Sequence, residues 1–531
     1  MYLKPARCIV VLSLYFFFGP SVWSADVLQP EDLRKRLGIV EDKLPSDKAL
    51  ARISVAILDN GFQGYDAGKG LLPESTELIR GPGNDFAPTA HGLKMAQIIW
   101  AVTGKKSAGP KFYLVNTNGF TNFKAAVDFV IEKKVDIVLY SQVWEFGGNY
   151  DGKGFINAEV SRAIDADILW VNAAGDFGGN VYNGSVLTDL SSSDKTTLKP
   201  RGRTSLKFVN KFDENNVTLT LSWSDFKDSK DHSTVKDLDL LVFDSEKKQV
   251  GASQLRQIGE APPNEESDLS SHAREQVVLK NLERGVYYVR IVAKSQNFKS
   301  KDKYRLAIYG NKPGSITFSD HSDGQEIFPP ADHPEVLTVG DGDETTSKGP
   351  TADGRKKPDV IIQDSKVSFS NGSGATGSST VAALMAAKVV FLKIKDPDLT
   401  QAKLLQQERG TTFASIQTGG IGGTGTPQPG ELVQLISADP LLIPPDLIGL
   451  IPLGSQPFFH PNGHLVIVVP GDPFAMPWVR RLGVQRLNED DFLAYSTWTK
   501  TWSAVPAKFR HVIRPPLVEF TPAGEPIASQ N

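Results

Sequence analysis

Residues 367–394 read VSFSNGSGATGSSTVAALMAAKVVFLKI and join a loop of small polar residues to an apolar helix. The loop is mostly Gly, Ser, Thr and Asn, whereas the second half repeats apolar residues at steps of three and four. This spacing predicts a helix that begins close to Ser379. A hydroxyl at a helix N-terminus lies where backbone N–H groups and the helix dipole favour developing negative charge. Ser379 is therefore either a nucleophile or an N-capping serine before a core helix.

Two other stretches favour the nucleophile. Residues 51–62, ARISVAILDNGF, predict a buried strand that ends at Asp59. Residues 91–99, HGLKMAQII, predict an apolar helix that His91 begins. An acid, a histidine and a serine are the components of a hydrolytic triad, and the order Asp, His, Ser is one that serine hydrolases use. The sequence thus predicts Asp59, His91 and Ser379 as catalytic residues.

Apolar strands alternate with amphipathic helices between these stretches. This alternation predicts an α/β fold with a parallel sheet covered by helices on both faces, and a site at the carboxyl ends of the strands. Asp59, Ser141 and Asp176 all fall at or just after predicted strand ends. The predicted strands are 53–58, 111–115, 135–140 and 168–172, and the predicted helices between and after them are 121–133 and 155–166.

The motifs around the three catalytic candidates resemble those of the subtilisin-like serine peptidases (subtilases), D-[ST]-G, H-G-T-x-[VM]-A and G-T-S-x-A-x-P. Residues 332–362, DHPEVLTVGDGDETTSKGPTADGRKKPDVII, resemble the strand and the S-x-x-G-P-x-x-x-G-R-x-K-P-D stretch that precede the subtilase serine. The matching residues are Ser347, Gly349, Pro350, Gly354, Arg355, Lys357, Pro358 and Asp359. The resemblance implies a subtilisin-like fold and a serine endopeptidase that needs no cofactor and no metal for its chemistry.

The resemblance also implies the remaining site residues. Ser141, Gln142, Val143 and Trp144 correspond to the subtilase segment that lines the substrate cleft and binds an extended protein or peptide substrate. Asp176 stands where subtilases have the asparagine that donates to the oxyanion. A carboxylate at this position would repel the oxyanion, whereas a protonated carboxyl could donate to it.

Several motif positions depart from the subtilase pattern, and they support an alternative function. In this alternative the chain is a catalytically weak or inactive subtilase fold that binds peptides or surfaces. A purely structural β-sandwich scaffold is disfavoured because all three triad residues are present. The departures are Asn60, Leu93, Ser378, Thr380, Val381, Ala383 and Asp176.

Residues 200–311 contain short alternating strands separated by Asp, Ser, Gly and Asn turns, without helical segments. They predict an inserted β-sandwich, which resembles the jelly-roll module that some subtilases carry. Asp225, Asp237 and Asp239 could hold a structural Ca²⁺. Solvated turn carboxylates are the favoured alternative, since the spacing fits no defined calcium loop.

The first residues have the pattern of a signal peptide, with Lys4 and Arg7 before an apolar run and small residues before Ala25. Cys8 is the single cysteine and lies within this segment, so the mature chain is expected to lack disulfides. We therefore expect an exported protein, extracellular or periplasmic and of bacterial type, with no transmembrane anchor after cleavage. Residues 25–50 leave no room for the long folding propeptide of most secreted subtilases.

A chain of 531 residues is too long for one ordinary hydrophobic core, so more than one domain is expected. A composition of 40% hydrophobic and 22% charged residues is typical of a soluble globular protein. The net charge of −3 argues against a nucleic-acid partner. Residues 464–469, HLVIVV, predict ordered β or extended structure near the C-terminus. The predicted segments are the signal peptide 1–24, a short N-terminal segment 25–50, the first part of the catalytic domain 51–199, the inserted β-sandwich 200–311, the second catalytic part 312–410, and a linker with an unassigned C-terminal region 411–531.

Overall fold

A computed structural model describes residues 30–40, 44–66, 71–104, 109–226, 233–260, 268–312, 314–369 and 374–413, and six short strands beyond them. The predicted signal peptide and most of the predicted C-terminal linker lie outside the described residues. The chain divides into two compact units, one of which is Leu28–Ile416 and the other Met1–Val27 with Gln417–Asn531.

The predicted parallel sheet is present in the first unit and has eight strands, all paired in parallel. Its central strands are apolar and buried on both faces, which is what helices on both sides of a parallel sheet require. In spatial order the strands are Glu77–Ile79, Lys111–Asn116, Ser54–Asp59, Ile137–Tyr140, Leu169–Ala173, Leu337–Gly340, Val360–Ile362 and Thr412–Phe413.

The helix Ser378–Lys395 has more buried residues than any other helix in the described part of this unit. Its alanines, such as Ala382 and Ala386, are fully buried and let the backbone come close to neighbouring elements. It packs against the helix His91–Thr103 and against central strands of the sheet. The other helices are Pro30–Arg36, Asp47–Leu50, Phe120–Glu132, Phe155–Asp165, Val186–Asp189 and Gln401–Glu408, with a 3₁₀ turn at Pro200–Gly202.

The strand-rich region forms two antiparallel sheets, which we call the β block and which span residues 181–317. The first sheet has the order Gln249–Ser253, Leu238–Phe243, Gly285–Ala293, Leu206–Asn210 and Ile316–Thr317. The second has the order Arg274–Leu282, Asn215–Trp223, Lys303–Gly310 and Val181–Ser185. Two-stranded pairs join Arg256–Gln257 to Leu269–Ser270 and, outside the β block, Val367–Ser368 to Gly374–Ala375.

The β block extends beyond the predicted limits 200–311 on both sides. Val181–Ser185 pairs with Lys303–Gly310, and Ile316–Thr317 pairs with Leu206–Asn210. Its apolar side chains also form one continuous cluster with part of the α/β core, in which Phe155 lies 5.7 Å from Phe226 between ring centroids. A separable inserted domain therefore stays a prediction.

The second unit contains a six-stranded antiparallel sheet in which every strand pairs with its neighbours in sequence. The strand His464–Val468 agrees with the β structure predicted from HLVIVV. No helix in the described part of the chain has both the length and the apolar character needed to cross a bilayer. The strands are Gln456–Phe459, His464–Val468, Phe492–Ser496, Thr501–Val505, Glu519–Phe520 and Pro526–Ile527.

Candidate functional site

Four neighbouring strands of the parallel sheet end side by side, and each is closed or followed by an acidic or hydroxyl residue. The carboxyl ends of parallel strands lie at one edge of a sheet, which is the usual position of a site in this architecture. In spatial order the residues are Asp59, Ser141, Asp176 and Asp341. The helices that begin at His91 and Ser378 start at the same edge, because His91 and Ser378 line one cavity with Ser141, Asp176 and Asp341.

Asp59 and His91 form a short hydrogen bond, with 2.6 Å between the carboxylate Oδ2 and the imidazole Nδ1. Asp59 is fully buried, and its Oδ1 accepts from the Gly61 N–H at 3.2 Å. A side chain at position 92 would come within 2.6 Å of Asp59 and 2.4 Å of the Phe62 ring, so only Gly92 lets this helix approach the strand. With Nδ1 donating to the carboxylate, Nε2 is the nitrogen that can accept a proton.

The environment of His91 favours its protonated form. Burial by itself favours the neutral imidazole, but the charge of Asp59 and its hydrogen bond together outweigh that effect and raise the pKa of His91. The side chain is 34% exposed, so the ring remains in contact with the cleft. The pair thus has the electrostatics of a base whose imidazolium form is stabilised.

Ser379 is the second residue of its helix, as the loop-to-helix transition in the sequence predicts. The helix is preceded by Gly377, whose φ of 86° is a backbone conformation that favours glycine. The Ser379 hydroxyl donates to the main-chain oxygen of Ser141 at 3.0 Å. This bond joins the nucleophile candidate to the first residue of the predicted substrate segment.

Asp176 lies against the same helix N-terminus. Its Oδ1 accepts from the Ser378 N–H at 2.9 Å, and the Ser378 hydroxyl accepts from the Gly175 N–H at 3.1 Å. A side chain added at Gly377 would come within 2.7 Å of Asp176 Oδ2. The carboxylate therefore occupies an anion-binding position one residue away from Ser379.

The pKa of the Asp176 carboxyl is raised. The largest cause is burial: although the residue is exposed at the cleft surface, the surrounding protein atoms restrict its hydration. The Ser378 hydrogen bonds and the nearby His91 act in the opposite direction, and the charge of Asp341 acts in the same direction as burial. The carboxyl thus holds a proton to a higher pH than an ordinary aspartate does.

A cleft with a cavity volume of about 1080 Å³ joins these groups. His91, Asp176 and Ser379 line it, as does the whole predicted substrate segment 141–144. The Trp144 ring is fixed by edge contacts with Phe120, Phe123 and Phe146.

Two main-chain groups of this segment already have partners within the chain. The Trp144 N–H donates to Pro329 O at 2.7 Å, and Asn172 Nδ2 donates to Gln142 O at 3.0 Å. An incoming peptide strand would therefore find these two groups occupied in the present conformation. Pairing of a substrate along 141–144 stays a prediction.

Sequence reasoning missed two parts of the cleft. Asp341 directly follows the apolar strand Leu337–Gly340, the same signal that pointed to Asp59, and it lines the cleft. The β block supplies a further wall that includes Tyr309 and Lys312. No local sequence signal marks this wall, because it depends on packing between distant segments.

A structural Ca²⁺ at Asp225, Asp237 and Asp239 stays a prediction. Asp225 accepts from the Lys236 ammonium at 2.6 Å and from the Thr234 hydroxyl at 2.5 Å, so a cation of the protein already neutralises it. Burial is the main cause that raises the pKa of Asp237 to about 6, and the charge of Asp239 adds to it. Within the described ranges no group of three or more His, Cys, Asp or Glu side chains is arranged to hold a metal ion.

A second serine–histidine contact lies outside the cleft, with 2.9 Å between Ser161 Oγ and His333 Nε2. His333 Nδ1 accepts from the Glu335 N–H at 3.1 Å, so the ring proton is on Nε2 and is donated to Ser161. Burial lowers the pKa of His333 to about 3. This histidine cannot accept the serine proton in this arrangement, so the pair is structural.

Neither a protein-family model nor a curated protein matches the chain. Among solved structures it aligns with the CspB protease of Clostridium perfringens at a TM-score of 0.40 and 13% identity, over 67% of this chain and 85% of that one. It aligns with Apa1, a psychrophilic subtilisin-like protease of Pseudoalteromonas sp. AS-11, at a TM-score of 0.27 and 10% identity. This alignment covers 70% of this chain and 89% of that one. The alignment with AlgX of Pseudomonas aeruginosa has a TM-score of 0.15 and 10% identity, over 49% and 48%. Similarity this low carries no argument about activity, which we base on the geometry of the cleft.

Proposed function

We propose that this chain is an exported serine endopeptidase of the subtilisin-like kind, which hydrolyses protein or peptide substrates through Asp59, His91 and Ser379. The observation that carries the proposal is the 2.6 Å bond between buried Asp59 and His91, in the same cleft as the helix-terminal Ser379. A buried carboxylate that orients a partly exposed histidine, with a serine lining the same cleft, provides the groups that nucleophilic acyl transfer needs.

In the proposed reaction, His91 Nε2 takes the proton of Ser379 as Oγ attacks the peptide carbonyl carbon. Asp59 holds the ring in place and stabilises the imidazolium that forms. His91 then gives the proton to the leaving amine as the C–N bond breaks, which leaves an acyl-enzyme. A water molecule, deprotonated by His91, hydrolyses this ester and regenerates Ser379. The first step requires the serine hydroxyl to turn away from Ser141 O.

The oxyanion would accept a hydrogen bond from the Ser379 backbone N–H. It would accept a second hydrogen bond from the Asp176 carboxyl only when that carboxyl is protonated. Because an ionised Asp176 would oppose the oxyanion, we expect slow turnover at neutral pH. The cavity of about 1080 Å³ has room for an extended substrate.

The second candidate is a peptide-binding protein of the same fold with weak or no turnover. One contact favours it: the Ser379 hydroxyl is bound to Ser141 O. This contact would have to break during catalysis, whereas binding of a peptide in the cleft does not require this.

The two candidates differ in turnover of an unfolded protein substrate. We expect the wild-type protein to cleave it, and Ser379→Ala and His91→Ala to lose at least about a thousandfold in rate. Ser192→Ala, an exposed serine of the β block outside the cleft lining, is the matched control and should behave as wild type. Equal activity in wild type and Ser379→Ala, or none in either, would refute the endopeptidase.

A further inference from the structure

An acidic loop, residues 341–345, borders the cleft beside Asp176. Asp341, Asp343 and Glu344 all line the cavity. The loop follows the strand that lies next to the one leading to Asp176. It is fixed to the Asp176 turn by two main-chain bonds, from Gly178 N to Thr345 O at 2.9 Å and from Ser347 N to Gly175 O at 2.8 Å.

Among the described residues no ion pair includes Asp341, Asp343 or Glu344, so no cation there is paired with the negative charge of this loop. Burial is the first cause of the raised pKa of Asp343, and the charges of Asp341, Asp364 and Glu344 raise it further. A cation placed beside the loop would remove this repulsion.

Asp341 provides an independent indication of a missing partner. The residue is only 2% exposed. Its Oδ1 accepts from the Thr346 hydroxyl and, at 3.0 Å, from the Asp343 N–H, but its Oδ2 is buried without a hydrogen-bond partner in the described part of the chain. A buried carboxylate oxygen with no donor is costly, and native proteins rarely keep one unless a ligand or water satisfies it.

The shape and lining of the cleft favour a side chain over a metal ion. The carboxylates do not converge into a group that could hold a metal, a statement that covers the described residues. Val143 and Phe177 line the cleft close to Gly175, where an added Cβ would lie 3.3 Å and 3.4 Å from them. Apolar groups beside carboxylates suit the aliphatic stem and charged end of lysine or arginine.

We propose that the acidic loop binds a Lys or Arg side chain of the peptide in the cleft, so that this protein selects basic peptides. The site lies next to Asp176, whose carboxylate contacts Ser378 N, so the basic residue would bind close to Ser379. Lys211 and Lys312 line the cleft from the β block and would repel a basic residue there, which favours one orientation of the peptide. As a cleavage preference this inference rests on the proposed function, but as a binding preference it does not.

The first test measures peptide binding to the full-length Ser379→Ala protein by fluorescence polarisation. A series of unstructured peptides places arginine, or its neutral isostere citrulline, at each successive position. We expect at least one position where arginine improves affinity about tenfold, as for one charge-assisted bond. Adding Asp341→Asn, Asp343→Asn and Glu344→Gln together should abolish this gain, whereas Glu132→Gln, an exposed charge outside the cleft lining, should keep it.

Equal affinity for arginine and citrulline at every position would overturn the inference, as would a gain that survives loss of all three acids. About 1 M salt should also weaken the arginine gain, because the Debye length falls to about 3 Å. The second test measures cleavage of the same peptides by wild type. Absence of Ser379-dependent cleavage together with an arginine gain in binding would refute the endopeptidase and keep this inference. Cleavage with no arginine preference in either test would support the endopeptidase and refute this inference.

Discussion

Replacing Asp176 by asparagine tests how the carboxyl at the oxyanion position limits catalysis. Asp176 Oδ1 accepts from the Ser378 N–H at 2.9 Å, and the amide oxygen of asparagine can keep this bond. The amide NH₂ then replaces Oδ2, so a permanent donor stands where the wild type has a carboxylate oxygen or a carboxylic acid. We expect Asp176→Asn to be faster than wild type near neutral pH.

Two protonation states must occur together for wild type to turn over substrate rapidly. Wild type needs Asp176 protonated and His91 neutral in the same molecule. Burial raises the pKa of Asp176, and Asp59 raises that of His91 despite the opposing effect of desolvation. The ordinary pKa of an aspartic acid lies below that of a histidine, so this pair of protonation states is a minor one in wild type. Loss of one oxyanion donor independently costs about a hundredfold.

The assay is kcat/KM for an unstructured peptide between about pH 3 and about pH 9, a range that spans the ordinary pKa values of both groups. Wild type should give a low, flat-topped profile that falls at both ends. Asp176→Asn should instead rise through the single His91 ionisation and then stay level, about a hundredfold higher. Asp167→Asn makes the same chemical change in an exposed turn and serves as control.

A variant no faster than wild type near neutral pH would refute this reasoning, as would a profile that keeps its fall at high pH. Stability provides a check on folding. A carboxyl whose pKa is higher in the folded than in the unfolded chain lowers stability once the pH rises above the unfolded-state pKa. This loss of stability is complete above the folded-state pKa. The asparagine variant, which has no such cost, should therefore be at least as stable as wild type at neutral pH.

Three further predictions concern the fold and processing. Lys357→Met removes the buried ammonium 2.6 Å from Asp359 and leaves Arg409, 2.8 Å from the same carboxylate, as its ion pair. The free energy of unfolding should fall by about 1–3 kcal/mol in denaturant titration, and no measurable loss would contradict this. Deleting only 200–311 removes the partners of both flanking strands of the β block. We therefore expect that variant to have a lower melting temperature by circular dichroism than a variant lacking 181–317. The opposite order would contradict 181–317 as the limits of the β block. The exported protein should lack residues 1–24 by intact mass, and a full-length mass in the cytoplasm would contradict export.

The parallel sheet was predictable because its signal is local. Strand Lys111–Asn116 and helix Phe120–Glu132 each lie within one residue of the prediction at both ends. Their apolar periodicity reports directly which face is buried. The limits of the β block were not predictable in this way, since Val181–Ser185 finds its partner more than a hundred residues later in the chain.

The same distinction between local signals and long-range packing applies to the candidate site. Asp59 and His91 come from two local motifs, and the strand order then brings them into contact. Asp341 carries the same strand-end signal and could have been found by applying that rule to Leu337–Gly340. The contact between Ser379 and Ser141 O depends on packing between segments far apart in sequence, and no local pattern predicts it.

The most direct test of the central claim is labelling with a fluorophosphonate, which forms a covalent adduct only with an activated serine. Mass spectrometry of the digested protein should locate the adduct on Ser379 in wild type. Ser379→Ala and His91→Ala should remain unlabelled, and Ser192→Ala should be labelled as wild type. An unlabelled wild type, or labelling that persists in Ser379→Ala, would contradict a triad of Asp59, His91 and Ser379.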